Sequence, residues 1–136
     1  LETLDLRVGR SCQNALSVAK HLQNKAQIIR VDYPLLETSS SYENASKQFS
    51  GGGAIVTFSL ENKEKAYAFL NALKLIRRGT NIQDNKSLAI APYHTIYAEY
   101  SEEQRHSYQL TQGMIRLSVG IEDIEDLLGD IDQALQ

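Results

Sequence analysis

The stretch GMIRLSVGIEDIEDLL, residues 113–128, decides the fold of this chain because it joins the two clearest periodic patterns in the sequence. Side chains in residues 114–119 alternate between the two faces of a strand. The apolar face comprises Ile115, Leu117 and Val119. The opposite face presents Arg116 between Met114 and Ser118. We therefore predict a strand that packs one face on helices and carries a charged side chain on the other.

Residues 123–135 change to a helical period. Their apolar stripe consists of Ile124, Leu127, Leu128, Ile131 and Leu135, with acidic residues opposite. The same two periods predict helices at residues 2–24, 41–49, 61–73 and 101–108, and strands at residues 26–34, 54–60, 73–78 and 87–91. The order indicates an α+β fold, an α/β sandwich in which a small, mostly antiparallel sheet packs helices on one face.

The composition is typical of one globular domain. The chain has 136 residues, of which 42% are hydrophobic and 23% are charged. A net charge of −3 argues against binding along a nucleic-acid backbone, which requires a clustered basic face. No apolar run reaches the ~18 residues of a membrane span, and the charged N-terminal stretch is unlike a signal peptide. The single cysteine, Cys12, rules out an internal disulfide, so we expect a reducing, cytoplasmic location.

Three further motifs are best interpreted as structural. The glycines at residues 51–53 precede a strand, whereas a phosphate-binding glycine loop follows one and opens a helix, so they predict a strand-entry turn. No two of the three histidines have the spacing of metal ligands, and no metal site is predicted. The acidic residues near the C-terminus indicate a solvated helix face: Glu122, Asp123, Glu125, Asp126, Asp130 and Asp132.

Arg116 leaves two interpretations open. It could lie on the open face of a one-sided sheet and pair with a surface acid. Alternatively it could hold a ligand, because the planar guanidinium group suits bidentate recognition of a carboxylate. The alternation of the strand does not choose between them.

Beyond these patterns, several segments come in the order and spacing of a known protein family. They are residues 1–22, LETLDLRVGRSCQNALSVAKHL; residues 31–60, which include the three glycines; residues 70–76, LNALKLI; residues 81–92, NIQDNKSLAIAP; and residues 114–135, which begin with MIRLSVGIED. Together they resemble the C-terminal end of the pyridoxal-phosphate (PLP) enzymes of cysteine and methionine metabolism. That family includes cystathionine synthases and lyases, methionine gamma-lyase and O-acetylhomoserine sulfhydrylase.

Within the family, NIQDNKSL at residues 81–88 is most similar to the sulfhydrylase branch, which tends to have N-V-G-D-x-K-S-L there. The resemblance implies gamma-replacement on O-acetylhomoserine. The alternatives are gamma-elimination, as in methionine gamma-lyase or cystathionine lyase, or a stand-alone domain that binds an amino acid without catalysis. Two departures bear on specificity: Gln83 replaces the family glycine, and APYHTIY at residues 91–97 replaces H-P-A-S-x-T-H.

The resemblance also implies an aminotransferase-like domain that is the smaller part of a two-domain subunit. Residues 1–136 would form this single domain, and a larger domain upstream would bind PLP. We expect no catalytic, cofactor-binding or metal-binding residue here, and an inactive piece that starts at Leu1 because it was excised. Arg116 matches the arginine that grips the substrate α-carboxylate, and Asn81 matches a position beside it. The implied parent is a homotetramer, and the piece alone could dimerise.

Overall fold

The computed structural model describes all 136 residues, and it contains every helix and strand that the sequence predicts. The helices are α1 (Leu4–Gln23), α2 (Tyr42–Gln48), α3 (Lys63–Ala72), α4 (Glu102–Ser107) and α5 (Ile124–Ala134). The strands are β1 (Arg30–Asp32), β2 (Ile55–Ser59), β3 (Arg77–Arg78), β4 (Leu88–Ile90) and β5 (Met114–Ser118). A short 3₁₀ turn spans Pro92–His94. No helix combines the length and the apolar character that crossing a bilayer requires.

The five strands form one sheet in the order β1-β2-β5-β4-β3, with β5 at its centre. The pairs β1–β2, β2–β5 and β5–β4 are antiparallel, whereas β3 and β4 are parallel. The sheet is therefore mixed, which corrects the expectation of a mostly antiparallel one. Because parallel strands start at the same edge, the chain must return to that edge between β3 and β4, and residues 79–87 make this return.

One face of the sheet forms the hydrophobic core, as the alternation in β5 predicts. Ile115 and Leu117 are almost completely buried, and they lie opposite Phe58 and Val56 of β2. Helices α1, α3 and α5 pack on this face and contribute further core residues. The ring of Phe69 in α3, for example, packs edge-on against Phe58 with 5.4 Å between centroids. Helices α2 and α4 are peripheral, since α2 buries a single residue and α4 buries none.

The second face carries Arg116, in a row with Thr57 of β2 and Ile90 of β4. This face is less open than a one-sided sheet would be. Met114 and Ser118, the neighbours of Arg116 on the same face, are both buried. The 3₁₀ turn lies against β5, and the return loop at residues 79–87 contacts the end of the strand that holds Ser118. Arg116 lies between these two coverings.

The glycine turn at residues 51–53 is confirmed as an entry into β2. Gly53 has φ +80°, a conformation that side chains other than glycine rarely adopt. Gly52 lies against the ring of Tyr33, whose hydroxyl donates a 2.9 Å hydrogen bond to the Gly53 carbonyl. Burial raises the pKa of Tyr33 to about 12, the neighbouring Cys12 adds to this, and a hydrogen bond with the Gly52 backbone opposes it. The turn is held from inside the protein.

The acidic helix face is only partly solvated, which corrects one interpretation from the sequence. Asp130 is 6% exposed, and its carboxylate accepts hydrogen bonds of 2.8–3.0 Å from the backbone N–H groups of residues 74, 75 and 76. Glu122 precedes α5, and its carboxylate accepts hydrogen bonds from Ser87 at the end of the return loop. Both acids fix segments that lead into or out of β3.

Candidate functional site

Arg116 lies in the middle of the central strand, so its backbone is held by pairing on both sides. Its Nη2 atom donates a 2.7 Å hydrogen bond to the carbonyl oxygen of Thr80 in the return loop. Its Nε atom is buried and has no hydrogen-bond partner. Buried donors in proteins are nearly always paired, and within this chain the Nε atom of Arg105 also lacks a partner. The free Nε of Arg116 is therefore a candidate contact for an acceptor outside the chain.

The charge of Arg116 is likewise uncompensated. Burial lowers the pKa of Arg116 from its ordinary value, and the neighbouring Tyr97 opposes this effect. The ion pairs of the molecule join other residues: His21 and Lys25 with Asp132, Arg30 with Asp32, and Lys47 with Glu43. The interpretation of Arg116 as a surface cation paired with an acid is therefore wrong. A partly desolvated guanidinium with a free donor can accept an anionic ligand.

Successive hydrogen bonds join the return loop to the end of β5 and to the residues after it. Arg116 binds the carbonyl of Thr80, and the hydroxyl of Ser118 accepts a 2.9 Å hydrogen bond from the Gln83 N–H. Further along, the N–H of Ile121 donates to the carbonyl of Asn85. These contacts place the loop across the second face of the sheet, beside Arg116.

Asn81, the second predicted site residue, lies directly after Thr80 in this loop. Its side chain is exposed and forms no hydrogen bond within the chain. The structure therefore brings the backbone of the loop to Arg116 at Thr80 and leaves the amide of Asn81 free beside that contact. Gln83, the first departure from the family pattern, has φ +60°. It keeps the left-handed conformation that a glycine would adopt there without cost.

The second departure, residues 91–97, forms the 3₁₀ turn that covers the other side of β5. The His94 ring donates a 2.9 Å hydrogen bond from Nε2 to the Gln112 carbonyl, and it packs against Tyr67 and Tyr93. The Thr95 hydroxyl donates to the Ala91 carbonyl at 2.8 Å. These contacts are internal to the turn region and its neighbours, so they account for His94 as a structural residue.

Sequence reasoning missed the residues that fix the loop, namely Ser118, Glu122 and Ser87. Ser87 is 1% exposed, and its hydroxyl accepts from the Gly120 N–H at 2.8 Å while it donates to Glu122 at 2.9 Å. The one signal in the sequence was the position of Ser118, two residues after Arg116 and therefore on the same face. Nothing in the sequence around Ser118 or Glu122 indicates which residues they bind.

The lysines do not fit a covalent link to PLP. Six of the seven are exposed, and the seventh, Lys25, forms a 2.7 Å ion pair with Asp132. A lysine that reacts with a carbonyl cofactor needs an enclosed setting that favours the neutral amine. No group of three or more His, Cys, Asp or Glu side chains is arranged to hold a metal ion. The chemistry that these residues offer is anion binding at Arg116.

Comparison with known proteins identifies the family of the chain. A family model described as "Cys/Met metabolism PLP-dependent enzyme" matches residues 1–136. The solved structure of O-acetylhomoserine sulfhydrylase from Wolinella succinogenes is 49% identical, with a TM-score of 0.88, over 99% of this chain and 36% of that one. The O-acetyl-L-homoserine sulfhydrylase of Leptospira meyeri is 42% identical over all of this chain and 31% of its own length.

The L-methionine gamma-lyase of Pseudomonas putida is similar at nearly the same level, 39% identical over all of this chain and 34% of its own length. The chain thus spans about a third of the length of the relatives it matches. Because sulfhydrylases and a lyase are almost equally similar, the family follows from these matches and the specific reaction does not. The family model covers every residue from Leu1 to Gln136, and the chain belongs to the Cys/Met-metabolism PLP-dependent enzymes.

Proposed function

We propose that this chain is the small C-terminal domain of a two-domain PLP enzyme of sulfur amino-acid metabolism, and that it supplies the binding site for the substrate's α-carboxylate. The observation that carries the proposal is Arg116, a half-buried guanidinium with no acid partner and a buried, unpaired Nε atom. An α-carboxylate offers two acceptor oxygens, which match the parallel donors of an arginine.

The loop contact sets the direction in which Arg116 can bind. Its Nη2 atom uses one of its two N–H groups for the Thr80 carbonyl, whereas its Nε–H has no partner. A carboxylate oxygen that accepts from the Nε–H would lie beside the start of the loop, where the Asn81 amide can donate a further hydrogen bond. Arg116 would then orient the amino acid, and Asn81 would assist.

Orientation is the contribution that this domain can make to catalysis. PLP, when bound to the rest of the subunit, supplies the electron sink for chemistry at the α, β and γ carbons of the amino acid. Arg116 and Asn81 would fix the carboxylate and so orient the amino acid relative to the cofactor. We assign the lysine that binds PLP, and the other cofactor contacts, to the larger domain of the parent.

The reaction that we favour is gamma-replacement on O-acetylhomoserine, in which sulfide displaces acetate and homocysteine forms. The similarity to the Wolinella succinogenes and Leptospira meyeri sulfhydrylases supports this choice, as does the NIQDNKSL segment. Gamma-elimination is the second candidate, and the similarity to the Pseudomonas putida lyase favours it. Elimination from methionine would release methanethiol, ammonia and a 2-oxo acid in place of a new amino acid.

Product analysis of the full-length protein distinguishes the two reactions. The protein is incubated with O-acetyl-L-homoserine and sulfide, and separately with L-methionine. We expect the first mixture to yield homocysteine and acetate, and the second to yield no methanethiol. If methanethiol and a 2-oxo acid are the main products, the reaction is gamma-elimination and the protein is a lyase.

The role of Arg116 is tested in the same full-length protein. Arg116→Lys keeps the charge but loses the paired donors, so we expect KM for the amino-acid substrate to rise about 10- to 100-fold, the equivalent of a charged hydrogen bond. Arg77→Lys is the matched control, because Arg77 is an exposed strand arginine of the same sheet. An unchanged KM in Arg116→Lys contradicts the proposed carboxylate site.

A further inference from the structure

The return loop at residues 79–87 carries both Thr80, which contacts Arg116, and Asn81, which lies next to it. The loop residues 81–86 are exposed, and the loop contains no helix or strand of its own. Its path therefore depends on the contacts that attach it to the rest of the molecule. Backbone hydrogen bonds to β3 and β4 attach the two ends of the loop, and the other contacts come from β5 and the segment that follows it.

The first attachment is Ser118, which is 1% exposed and lies on the same face of β5 as Arg116. Its hydroxyl accepts the N–H of Gln83 at 2.9 Å. Gln83 has φ +60°, a left-handed conformation that costs a residue with a side chain about 1–2 kcal/mol. Such a conformation persists only where contacts with the surrounding structure offset its cost. The Ser118 hydroxyl is the partner that holds the Gln83 backbone in place.

The second attachment is Glu122, at the other end of the loop. Its carboxylate accepts hydrogen bonds from both the backbone N–H and the hydroxyl of Ser87, the latter at 2.9 Å. The Glu122 backbone is fixed in turn, because its carbonyl accepts a 2.9 Å hydrogen bond from the amide of Asn14, which is 2% exposed. A chain of hydrogen bonds thus runs from the buried side of α1 through Glu122 to the loop.

We propose that Ser118 and Glu122 are positioning residues for the carboxylate site. They touch no substrate themselves. They hold the loop so that the Thr80 carbonyl binds Nη2 and orients the guanidinium of Arg116, with its Nε–H left unpaired. This inference rests on the proposed function, since it gives Arg116 and Asn81 a ligand to bind.

The test uses the full-length protein with whichever of O-acetyl-L-homoserine and L-methionine it consumes. Ser118→Ala removes one hydrogen bond to the loop, and we expect KM to rise about three- to tenfold, with kcat changed by less than about twofold. Ser118→Thr keeps the hydroxyl and is expected to restore KM. Glu122→Gln weakens the attachment at Ser87 and is expected to raise KM in the same way.

Ser59→Ala is the matched control for Ser118→Ala. Ser59 is a buried serine on the same sheet face, but its hydroxyl pairs with Thr111 at 3.1 Å, away from the loop. Its loss should leave KM unchanged. Asp126→Asn, an exposed change on α5, is the control for Glu122→Gln. A rise in KM that the controls share would reflect general loosening of the domain and would overturn the proposal.

A double mutant separates positioning from a structural role. If Ser118 acts through Arg116, adding Ser118→Ala to Arg116→Lys should raise KM by less than about twofold, because interacting sites are not additive. A fully additive effect contradicts the proposal. Deuterium uptake provides a second readout: peptides that cover residues 79–88 should exchange faster in Ser118→Ala, and peptides that cover residues 54–60 should not. Equal uptake in both regions would also contradict it.

The outcomes distinguish the carboxylate site from the positioning role. If Arg116→Lys leaves KM unchanged, the proposed carboxylate site fails. If Arg116→Lys raises KM while Ser118→Ala and Glu122→Gln do not, the site stands and the positioning role fails. Should Ser118→Ala not yield folded protein, Glu122→Gln decides the question, because it leaves the hydroxyl of Ser118 in place.

Discussion

Asp130 and Arg116 are two charged residues that lie among apolar neighbours, and they differ in how far their hydrogen bonds are satisfied. Both carboxylate oxygens of Asp130 accept backbone N–H groups, and the amide of Gln133 adds a 3.1 Å contact. Arg116 has one partner and a free Nε. We therefore expect the Asp130 contacts to stabilise the fold, whereas the unpaired Nε of Arg116 supports the proposed carboxylate site.

Replacing Asp130 should therefore be costly for stability. In Asp130→Ala three backbone N–H groups of residues 74–76 lose their acceptor, and we expect a loss of about 2–4 kcal/mol in the free energy of unfolding. Asp126→Ala, on the exposed side of the same helix, should change it by less than about 0.5 kcal/mol. Urea unfolding curves of the two variants provide the measurement. Similar midpoints for both would mean that the Asp130 contacts contribute little.

The pH dependence of stability should contain a contribution from Asp132. Burial alone would raise the pKa of Asp132, but hydrogen bonds and charges from Lys25 and His21 lower it below its ordinary value. Because the folded pKa is lower than the unfolded one, this stabilisation is fully present above about pH 4 and is lost as the pH falls through the folded pKa. The side chain is 41% exposed, so the contribution should stay below about 1 kcal/mol.

Comparing the wild type with Asp132→Asn between pH 2 and pH 6 tests this expectation. The stability difference between the two proteins should shrink toward zero at the acid end of the range. A difference that grows on acidification would contradict the assignment of the lowered pKa to Asp132.

Among the elements, the central strand was predictable in detail, whereas the pairing of β3 with β4 was not. The period of two in β5 assigns each side chain to a face whatever surrounds it, so the buried row and the position of Arg116 followed from the sequence. β3 has two residues and β4 has three, too few to carry a period, and their parallel pairing depends on the return loop. Asp130 was missed because nothing nearby in the sequence distinguishes it from Asp126.

The site was predictable to the same extent. Arg116 could be named because a charged residue interrupts an apolar strand, and the family resemblance added Asn81. The contact with Thr80 could not be foreseen, since a main-chain carbonyl is common to every residue and leaves no trace in the sequence. The same holds for Ser118 and Glu122, whose partners are largely backbone N–H groups.

Two glycines should respond in opposite directions to replacement by alanine. A Cβ atom on Gly52 would come within 2.6 Å of the Tyr33 ring, and we expect Gly52→Ala to lower stability by about 1–3 kcal/mol through this overlap. Gly9 lies in α1, and a Cβ atom added to it would meet nothing within 4 Å, so Gly9→Ala should raise stability by about 0.5–1 kcal/mol. Thermal unfolding of both variants measures the effect. A shift of the same sign in the two would contradict this expectation.

At the scale of the whole molecule, the chain packs a layer of helices on one side of a sheet and presents the proposed carboxylate site on the other. Its hydrophobic core is continuous through α1, α3, α5 and the sheet. The second face, by contrast, ends in a cation that lacks its anion. We therefore expect the helices and the sheet to keep their packing in the isolated domain, although the domain lacks the groups that perform chemistry.

The chain alone should form no specific covalent complex with PLP. At equimolar PLP, reduction with borohydride followed by intact mass measurement should find no single lysine modified, because the lysines are exposed or ion-paired. The full-length protein, treated in the same way, is the positive control. One dominant modified lysine within residues 1–136 would contradict our assignment of the cofactor to the larger domain.

The isolated chain should also associate with itself. The N-terminus and the first turns of α1 expose Leu1, Leu4, Leu6 and Val8, with Leu6 73% exposed, and apolar surface of this kind tends to bind other surfaces. We expect light scattering at increasing concentration to give a mass above the 15.2 kDa of the monomer, and Leu6→Glu to reduce it. Phe49→Glu, which removes an exposed apolar residue elsewhere, is the control. A monomer at every concentration would contradict the expectation.

The bond between Arg116 and Thr80 has a consequence for how such a site can change over time. The acceptor is a main-chain oxygen, so substitutions at position 80 leave it in place as long as the loop keeps its path. Substitutions at position 80 should therefore leave the orientation of Arg116 nearly unchanged. If Ser118 positions the loop as we propose, substitutions at Ser118 should alter the orientation of Arg116 more than substitutions at position 80.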